Sequence, residues 1–298
     1  MGDTSIGWTN KSWSVTRGCE RVSPGCTHCY AEKHAGRFCG PGLPFEGYAT
    51  LGKNGARWSG VVKPLLPGNL REPLSWKKPA RVFVNSMSDL FHKDVPFPFI
   101  ADVFQVMERC PRHTFQVLTK RADVMAEWFK WVGNLGAKTW PLPNVELGVS
   151  AENQQYAAER IPLLLQCPAV TRWVSVEPQL GHVDLTPWLG EERGGFPGEG
   201  IGWVVNGGES GSGARQFDLA WARSLKEQCA EAIVPYFFKQ TGSLAITDND
   251  DDRRACGDMN LPHPFQWKVT GKGASQDDHP EDLRVQEYAD DLFRVKGR

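Results

Sequence analysis

Arg81-Val82-Phe83-Val84-Asn85-Ser86, then a run from Phe99 to Arg109, then Thr114-Phe115-Gln116-Val117-Leu118-Thr119 stand in succession near the first third of the chain. The outer two are short, apolar and rich in β-branched and aromatic residues, the pattern of a strand buried on both faces. The middle run places Ile100, Val103, Phe104 and Met107 on one helical face. Strand, helix and strand in that order predict two parallel strands joined by a right-handed crossover. The rhythm then repeats. Ala122 to Val132 has helical spacing, Asn144 to Ser150 reads as a strand, and Gln154 to Gln166 as a helix kinked or divided at Pro162. Thr171 to Glu177 and Gly202 to Gly208 read as strands. Asp218 caps a helix through Ala230, and Val234 to Gln240 is a last strand. Upstream, Trp13-Ser14-Val15-Thr16 supplies a first strand. About seven strands alternating with helices predict an α/β fold: a TIM-like parallel β/α barrel, complete or partial. A doubly wound open sheet is the alternative.

Residues 1–240 are read as the barrel domain. An irregular insertion occupies 39–74, where Gly40-Pro41-Gly42-Leu43-Pro44 cannot form regular helix and Leu70 to Trp76 is a helical turn. The link from Glu177 to Gly202 contains Gly194-Gly195-Phe196-Pro197-Gly198 and reads as loop. Residues 241–298 are read as a C-terminal extension packed on the same domain. Its acidic run, Thr247-Asp248-Asn249-Asp250-Asp251-Asp252, reads as a solvated loop and lacks the spacing of a calcium hand.

Parallel α/β sheets place their sites at the carboxyl ends of the strands. Here those ends are polar while the strands are apolar. Asn85, Ser86, Ser88 and Asp89 follow one strand, and Thr119, Lys120 and Arg121 the next. Ser150, Glu152 and Asn153 follow another, then Glu177-Pro178, then Gly207-Gly208-Glu209, and finally Lys239-Gln240. Recurrence at nearly every exit is a stronger signal than any one motif, because one ring of groups would face one cavity.

The exit of the first strand carries Gly18-Cys19-Glu20-Arg21-Val22-Ser23-Pro24-Gly25-Cys26-Thr27-His28-Cys29-Tyr30-Ala31, a loop ahead of a helix over Ala31–Phe38. Three thiolates at this spacing reach one soft metal centre. They satisfy three irons of a four-iron cluster and leave one iron open to a chelating small molecule. The competing reading adds Cys39 to Cys19, Cys26 and Cys29 as a four-thiolate zinc site, with His28 or His34 as substitutes. Zinc sites mostly use two close pairs, and only Cys26 and Cys29 form one here. Of the eight cysteines, Cys110, Cys167 and Cys229 fall near predicted helix ends and read as buried structural thiols.

Cys26-Thr27-His28-Cys29-Tyr30 resembles the second half of the radical S-adenosylmethionine (SAM) signature, Cys-x3-Cys-x2-Cys, although the first gap here is six residues. The wider gap, the Trp8-Thr9-Asn10 opening and the later strand ends resemble the phage Gp37/Gp68-type, radical-SAM-like proteins, over most of the chain. The resemblance implies a barrel of the radical SAM type. It also implies a [4Fe-4S] cluster on Cys19, Cys26 and Cys29, bound SAM, and an electron donor. Gly207-Gly208-Glu209 resembles the glycine-rich element that meets the methionyl amine, though here it follows a late strand. Glu177 or Glu209 would hold the ribose hydroxyls. Lys120 and Arg121 would pair with the methionyl carboxylate or a substrate phosphate. Asn85, Ser86 and Ser150 would line the site. Each has a plainer reading beside it: Glu177 ends a strand, Gly207-Gly208 makes a turn, and Lys120-Arg121 starts a helix. Positive charge is unfavourable at a helix start, which favours a role for that pair.

A formal net charge of −1 over 298 residues gives no global field toward nucleic acid or membrane. No stretch is long and apolar enough to span a bilayer, and Met1-Gly2-Asp3-Thr4 carries no signal core, so a soluble cytoplasmic protein without a membrane partner is expected. Twelve tryptophans fit either a large core or aromatic platforms. Two function classes follow. One is a radical SAM enzyme that cleaves SAM reductively and abstracts hydrogen from a substrate. A nucleic acid or nucleotide is the candidate, from the phage association and from Arg57, Lys63, Arg71, Lys77, Lys78 and Arg81, although such a run is more often a solvated face. The other is a non-catalytic zinc-containing nucleic-acid-binding module. A third, a cluster protein that serves as a sensor or partner, differs from the first only in lacking SAM cleavage.

Overall fold

The computed structural model describes residues 4–136, 140–190, 200–257, 262, 264–269 and 271–289. In chain order its elements begin with β1 (Lys11–Trp13), β2 (Thr16–Arg17), α1 (Tyr30–Arg37), β3 (Ala49–Gly52), β4 (Gly55–Trp58), β5 (Lys63–Pro64) and α2 (Pro67–Leu70). Next come β6 (Arg81–Val84), α3 (Phe97–Glu108), β7 (Thr114–Thr119), α4 (Ala122–Asn134), β8 (Val145–Ser150), α5 (Gln154–Leu164) and β9 (Thr171–Val176). The last are β10 (Trp203–Gly207), β11 (Phe217–Asp218), α6 (Leu219–Glu231), β12 (Tyr236–Gln240), β13 (Ala245–Thr247), α7 (Asp250–Ala255) and β14 (Phe265–Gln266). β1, β6, β7 and β8 are parallel neighbours in that order, and so are β9, β10 and β12. The expected α/β fold with a parallel sheet is therefore present. The chain divides into two compact units, Met1–Val149 with Arg160–Arg172, and Ser150–Glu159 with Trp173–Arg298.

In the first unit the register pairs Trp13 with Val84, Val84 with Val117, and Val117 with Leu147. Side chains alternate across a strand, so these residues share one apolar face, and all are essentially inaccessible. The opposite face carries Ser12, Phe83, Gln116 and Glu146 in one row. The helical layer is aromatic: Phe104 of α3 stacks on Trp128 of α4 with centroids 4.6 Å apart, and Trp140 closes on both at 5.2 and 5.5 Å. Rings at these separations add attraction beyond their buried area. Trp8, Trp13, Trp128, Trp173 and Trp203 are all buried, so for these five the large-core reading of the tryptophans holds.

The insertion is more regular than its composition suggests. Ala49–Gly52 and Gly55–Trp58 pair as an antiparallel hairpin closed at Lys53-Asn54, and Asn-Gly is the usual signal for such a turn. Glu32 of α1, almost fully buried, ties this hairpin down: its carboxylate accepts the Trp58 amide at 2.9 Å and pairs with Arg21 of the cysteine loop. Residues Arg57, Lys63, Arg71, Lys77 and Lys78 are exposed, as a solvated face requires.

In the second unit β9, β10 and β12 pair with Val174 beside Val204 and Val204 beside Tyr236. Asp218 caps α6, its side chain accepting the Ala220 amide at 2.9 Å. Pro162 lies within α5, which continues to Leu164 without dividing. Cys110, Cys167 and Cys229 are buried, as expected of structural thiols. The acidic run is not a solvated loop. Thr247 ends β13 and Asp250 starts α7, whose first amides are capped by Asn249, with Oδ1 accepting from Asp251 at 2.7 Å. Asp252 is 4% exposed and pairs with Arg223 at 2.7 Å. A helix start favours carboxylates, and this accounts for the clustering. The tail continues as an ordered strap: Phe238 N–H donates to Val285 O at 2.9 Å and Trp203 Nε1 to Glu287 O at 2.9 Å. The Gly194–Gly198 segment and residues 290–298 lie outside the described residues. Among the described residues no helix is long and apolar enough to cross a membrane.

Candidate functional site

In the first unit the three cysteines leave β2 on one loop. Gly18 makes the exit possible. Its φ is +93°, and a Cβ there would overlap the Val61 carbonyl oxygen and come within 2.9 Å of the Tyr48 ring. Only glycine tolerates both conditions. Pro24–Cys26 forms a single 3-10 turn, and Cys29 stands at the N-cap of α1, its carbonyl accepting from Lys33 at 3.1 Å. Cys19, Cys26 and Cys29 are all free thiols and half-buried. Burial pushes the Cys19 thiol up to about 12, with Asp89 adding to the rise and Arg121 opposing it. Burial also raises Cys29, offset in part by hydrogen bonds from the Glu32 and Ala31 amides. A charge on Cys29 would add to the rise at Cys19, and one on Cys26 to the rise at Cys29. Desolvated thiols of this kind carry charge only beside a cation or a metal.

Cys39 belongs elsewhere. Its Sγ lies 3.2 Å from Gly36 O, and it packs against Ala35, Phe45 and Ala49 with Tyr48, Trp58 and Met87. It is a member of a small apolar cluster and not of the loop. Among the described residues no three His, Cys, Asp or Glu side chains converge as the ligands of a single metal ion. A zinc ion requires such convergence, with each sulfur about 2.3 Å from one centre. A four-iron cluster has a different demand, since each thiolate binds its own iron. The donor set of the loop, three free thiols and no fourth, fits that demand in number and chemistry.

The exits of β6 and β7 close around the same loop. Asp89 accepts from Phe91 N at 3.0 Å and Thr119 Oγ1 at 2.7 Å through one oxygen, and from Lys120 N at 3.1 Å and Arg121 Nη1 at 2.8 Å through the other. Arg121 Nη2 continues to the carbonyl of Glu20 at 3.1 Å. The cation at the start of α4, unfavourable by the helix dipole alone, is thus explained by the buried carboxylate it meets. Lys120 contributes its amide to Asp89, and its side chain is half-buried. Asn85 donates through Nδ2 to Thr16 Oγ1, leaving Oδ1 buried without a partner. Ser86 Oγ lies 2.5 Å from Ser12 Oγ, its carbonyl accepts from Tyr30 OH at 2.8 Å, and Ser88 Oγ accepts from Thr16 at 2.8 Å. Asn85, Ser86 and Lys120 are therefore gathered beside the cysteine loop. Asp89 is the residue whose weight was not apparent. Its signal was a carboxylate at a strand exit with an unexplained Arg at the next.

In the second unit the remaining expected residues are held in separate pairings. Glu177 pairs with Lys239 at 2.5 Å, each side chain about one-sixth exposed. Glu209, 6% exposed, is gripped by Arg215 through Nη2 at 2.5 Å, Nε at 2.9 Å and the Arg215 amide at 3.0 Å. Gly207 and Gly208 cross the end of β12. Gly208 N donates to Gln240 O at 2.9 Å, and Gln240 Nε2 returns to Gly208 O at 2.8 Å. A Cβ on Gly208 would overlap the Thr241 carbonyl. Gly208 is thus required by the backbone crossing. Ser150 is buried at the end of β8, next to Ala151, whose amide donates to Ser175 O at 2.9 Å.

Compared with known proteins, residues 3–279 match a family model described as "Protein of unknown function (DUF5131)". None of the curated proteins and none of the solved structures compared with the chain matches it.

Proposed function

We propose that this chain, which belongs to the family of proteins of unknown function DUF5131, is a radical SAM-like iron–sulfur enzyme. The observation that carries the reading is the loop itself. Three free, half-buried thiols follow β2 on one loop, held beside the exits of the parallel strands β6 and β7 by Asp89 and Arg121, while Cys39 is committed to an apolar cluster. A three-thiolate set is the chemistry of a cluster with one open iron, and the resemblance to Gp37/Gp68-type proteins and to a radical SAM barrel points the same way.

Cys19, Cys26 and Cys29 would hold the cluster. When bound, it would supply one-electron reduction of SAM, and with it a route to hydrogen abstraction from substrate. The chain's own residues do the rest. Gly18 turns the loop out of β2, Arg121 anchors its first residues, and the Glu32–Arg21 pair anchors its far side. Asn85 Oδ1, a buried acceptor without a donor, and the half-buried Lys120 would face a polar ligand beside the loop. In the second unit Lys239 neutralises Glu177 and Arg215 neutralises Glu209, so a ribose could reach either carboxylate only by competing with a cation already there. A nucleotide or nucleic acid is the first substrate to test, and electrons would come from an external donor.

Anaerobic reconstitution tests this. Iron, sulfide and zinc are quantified and EPR recorded for wild type, for a triple Cys19/Cys26/Cys29→Ala variant and for Cys39→Ala. About four irons per chain, lost in the triple variant and kept in Cys39→Ala, are expected, followed by 5′-deoxyadenosine release from SAM under reduction. One tightly held zinc and no iron would sink the proposal and favour the zinc module.

A further inference from the structure

Cys19 has surroundings that Cys26 and Cys29 lack. The Arg121 guanidinium and the Cys19 thiol meet at one atom, the carbonyl oxygen of the next residue, Glu20, which accepts from Arg121 Nη2 at 3.1 Å and lies 3.5 Å from Cys19 Sγ. Behind the guanidinium stands Asp89 at 2.8 Å, and both side chains are more than nine-tenths buried. Neither can swing away. Asp89 is held by four donors, the amides of Phe91 and Lys120, the Thr119 hydroxyl and Arg121 itself. A buried cation that shares an acceptor with one thiol, backed by a fixed anion, is a charge device with a defined direction. By contrast Cys26 Sγ has Ser23 Oγ 3.8 Å away, and Cys29 sits at a helix N-terminus.

We propose that Arg121 is a positioning residue for Cys19, and that with Asp89 it sets the charge felt by whatever the three cysteines bind. This rests on the iron–sulfur reading above. Arg121 fixes where the first ligand stands by holding the Glu20 carbonyl. Its positive charge favours the electron-rich reduced form of a centre on Cys19, while Asp89 opposes it. Removing one member therefore exposes the other, and the two removals act in opposite senses.

The test uses the full chain, reconstituted anaerobically, with dithionite as the electron source and EPR as the readout of the one-electron couple. Arg121→Gln is expected to disfavour reduction about tenfold, a fall of about 59 mV in midpoint potential. Asp89→Asn is expected to shift it the other way. The double variant is expected to return toward wild type, and Arg121→Lys to stay near it because the charge is kept. Shifts of the same sign in both single variants, as a general disturbance of the loop would give, overturn the proposal. Unchanged potentials with full iron also overturn it. If Arg121→Gln holds too little iron to titrate, Arg121→Lys decides: iron retained supports the role, and a Lys variant as empty as the Gln variant counts against it. Absence of iron from wild type is a separate failure, that of the iron–sulfur reading, and removes this inference with it.

Discussion

Gly208→Ala separates two reasons for a glycine pair at the end of β10: a cradle for a ligand, or a backbone crossing. A Cβ at this position would overlap the Thr241 carbonyl oxygen, stand 2.8 Å from its carbonyl carbon and 3.0 Å from Phe217 Cβ. None of these atoms is free to retreat. Thr241 N donates to Gly273 O at 2.9 Å, Phe217 N donates to Leu244 O at 3.0 Å, and Phe217 is buried. Relief requires a backbone shift that stretches the Gly208–Gln240 hydrogen bonds. Overpacking of this kind costs about 1–3 kcal/mol, and a weakened backbone bond adds about 1 kcal/mol, so roughly 3 kcal/mol is expected. At about 2–4 °C per kcal/mol for a chain of this size, ligand-free Gly208→Ala melts about 6–12 °C below wild type. Gly207→Ala serves as the internal comparison. Its nearest neighbour is the flexible Gln240 Cγ at 3.1 Å, and its loss is expected to be about 1 kcal/mol or less. Differential scanning fluorimetry and urea unfolding of the ligand-free protein measure both. A Gly208→Ala protein as stable as wild type, with SAM binding lost by calorimetry, would refute the crossing argument and return the pair to a ligand role.

Three further outcomes follow from the second unit. Arg223→Ala strands the buried Asp252 carboxylate and also removes the 2.8 Å contact to Asp282; a loss of about 3–5 kcal/mol is expected in urea unfolding, against near-neutral effects for exposed Lys variants. Tyr236→Phe deletes the hydroxyl that donates to Asn206 Oδ1 at 3.0 Å and leaves that acceptor buried, at about 1–3 kcal/mol, read as a lowered urea midpoint with unchanged slope. Asp282 gives an acid limb. Burial opposes its ionisation, but Arg223 and then Lys226 outweigh burial and hold the carboxyl below its ordinary value. Its contribution is therefore complete above that ordinary value and lost as pH falls through the lower folded one. Asp282→Asn is expected to be less stable than wild type at neutral pH, with the two stability curves converging in acid; parallel curves would count against the assignment.

The strands were legible in the sequence because they are buried on both faces and so read as unbroken apolar runs. Thr114–Thr119 and Thr171–Val176 begin where their β-branched pattern begins. The α6 start was legible for a local reason, the Asp218 cap. What escaped is non-local. The acidic run became a capped helix because Arg223, some thirty residues upstream, supplies Asp252 with a cation. The insertion hairpin depends on Lys53-Asn54-Gly55, a short signal inside a stretch dominated by Gly and Pro. In the site, polar residues at strand exits were visible, but their partners were not. Nothing local in Lys120-Arg121 says that the Arg turns inward to Asp89 while the Lys stays half-buried. Nothing local in Gly207-Gly208 says that the chain at Gln240–Thr241 passes within contact distance.

The tail strap bears on synthesis. The outer edge of β12 is covered by residues 284–288, through Phe238 N–H to Val285 O and Glu287 N–H to Tyr236 O at 3.1 Å. An uncovered strand edge is a template for pairing with other chains. During translation β12 emerges some fifty residues before the segment that shields it. A ribosome stalled anywhere in that interval holds a sheet with an open, strongly apolar rim, Tyr236-Phe237-Phe238, that is available to neighbouring nascent chains. Quality of the finished protein is thus decided late, by whether the final strap arrives before another strand does.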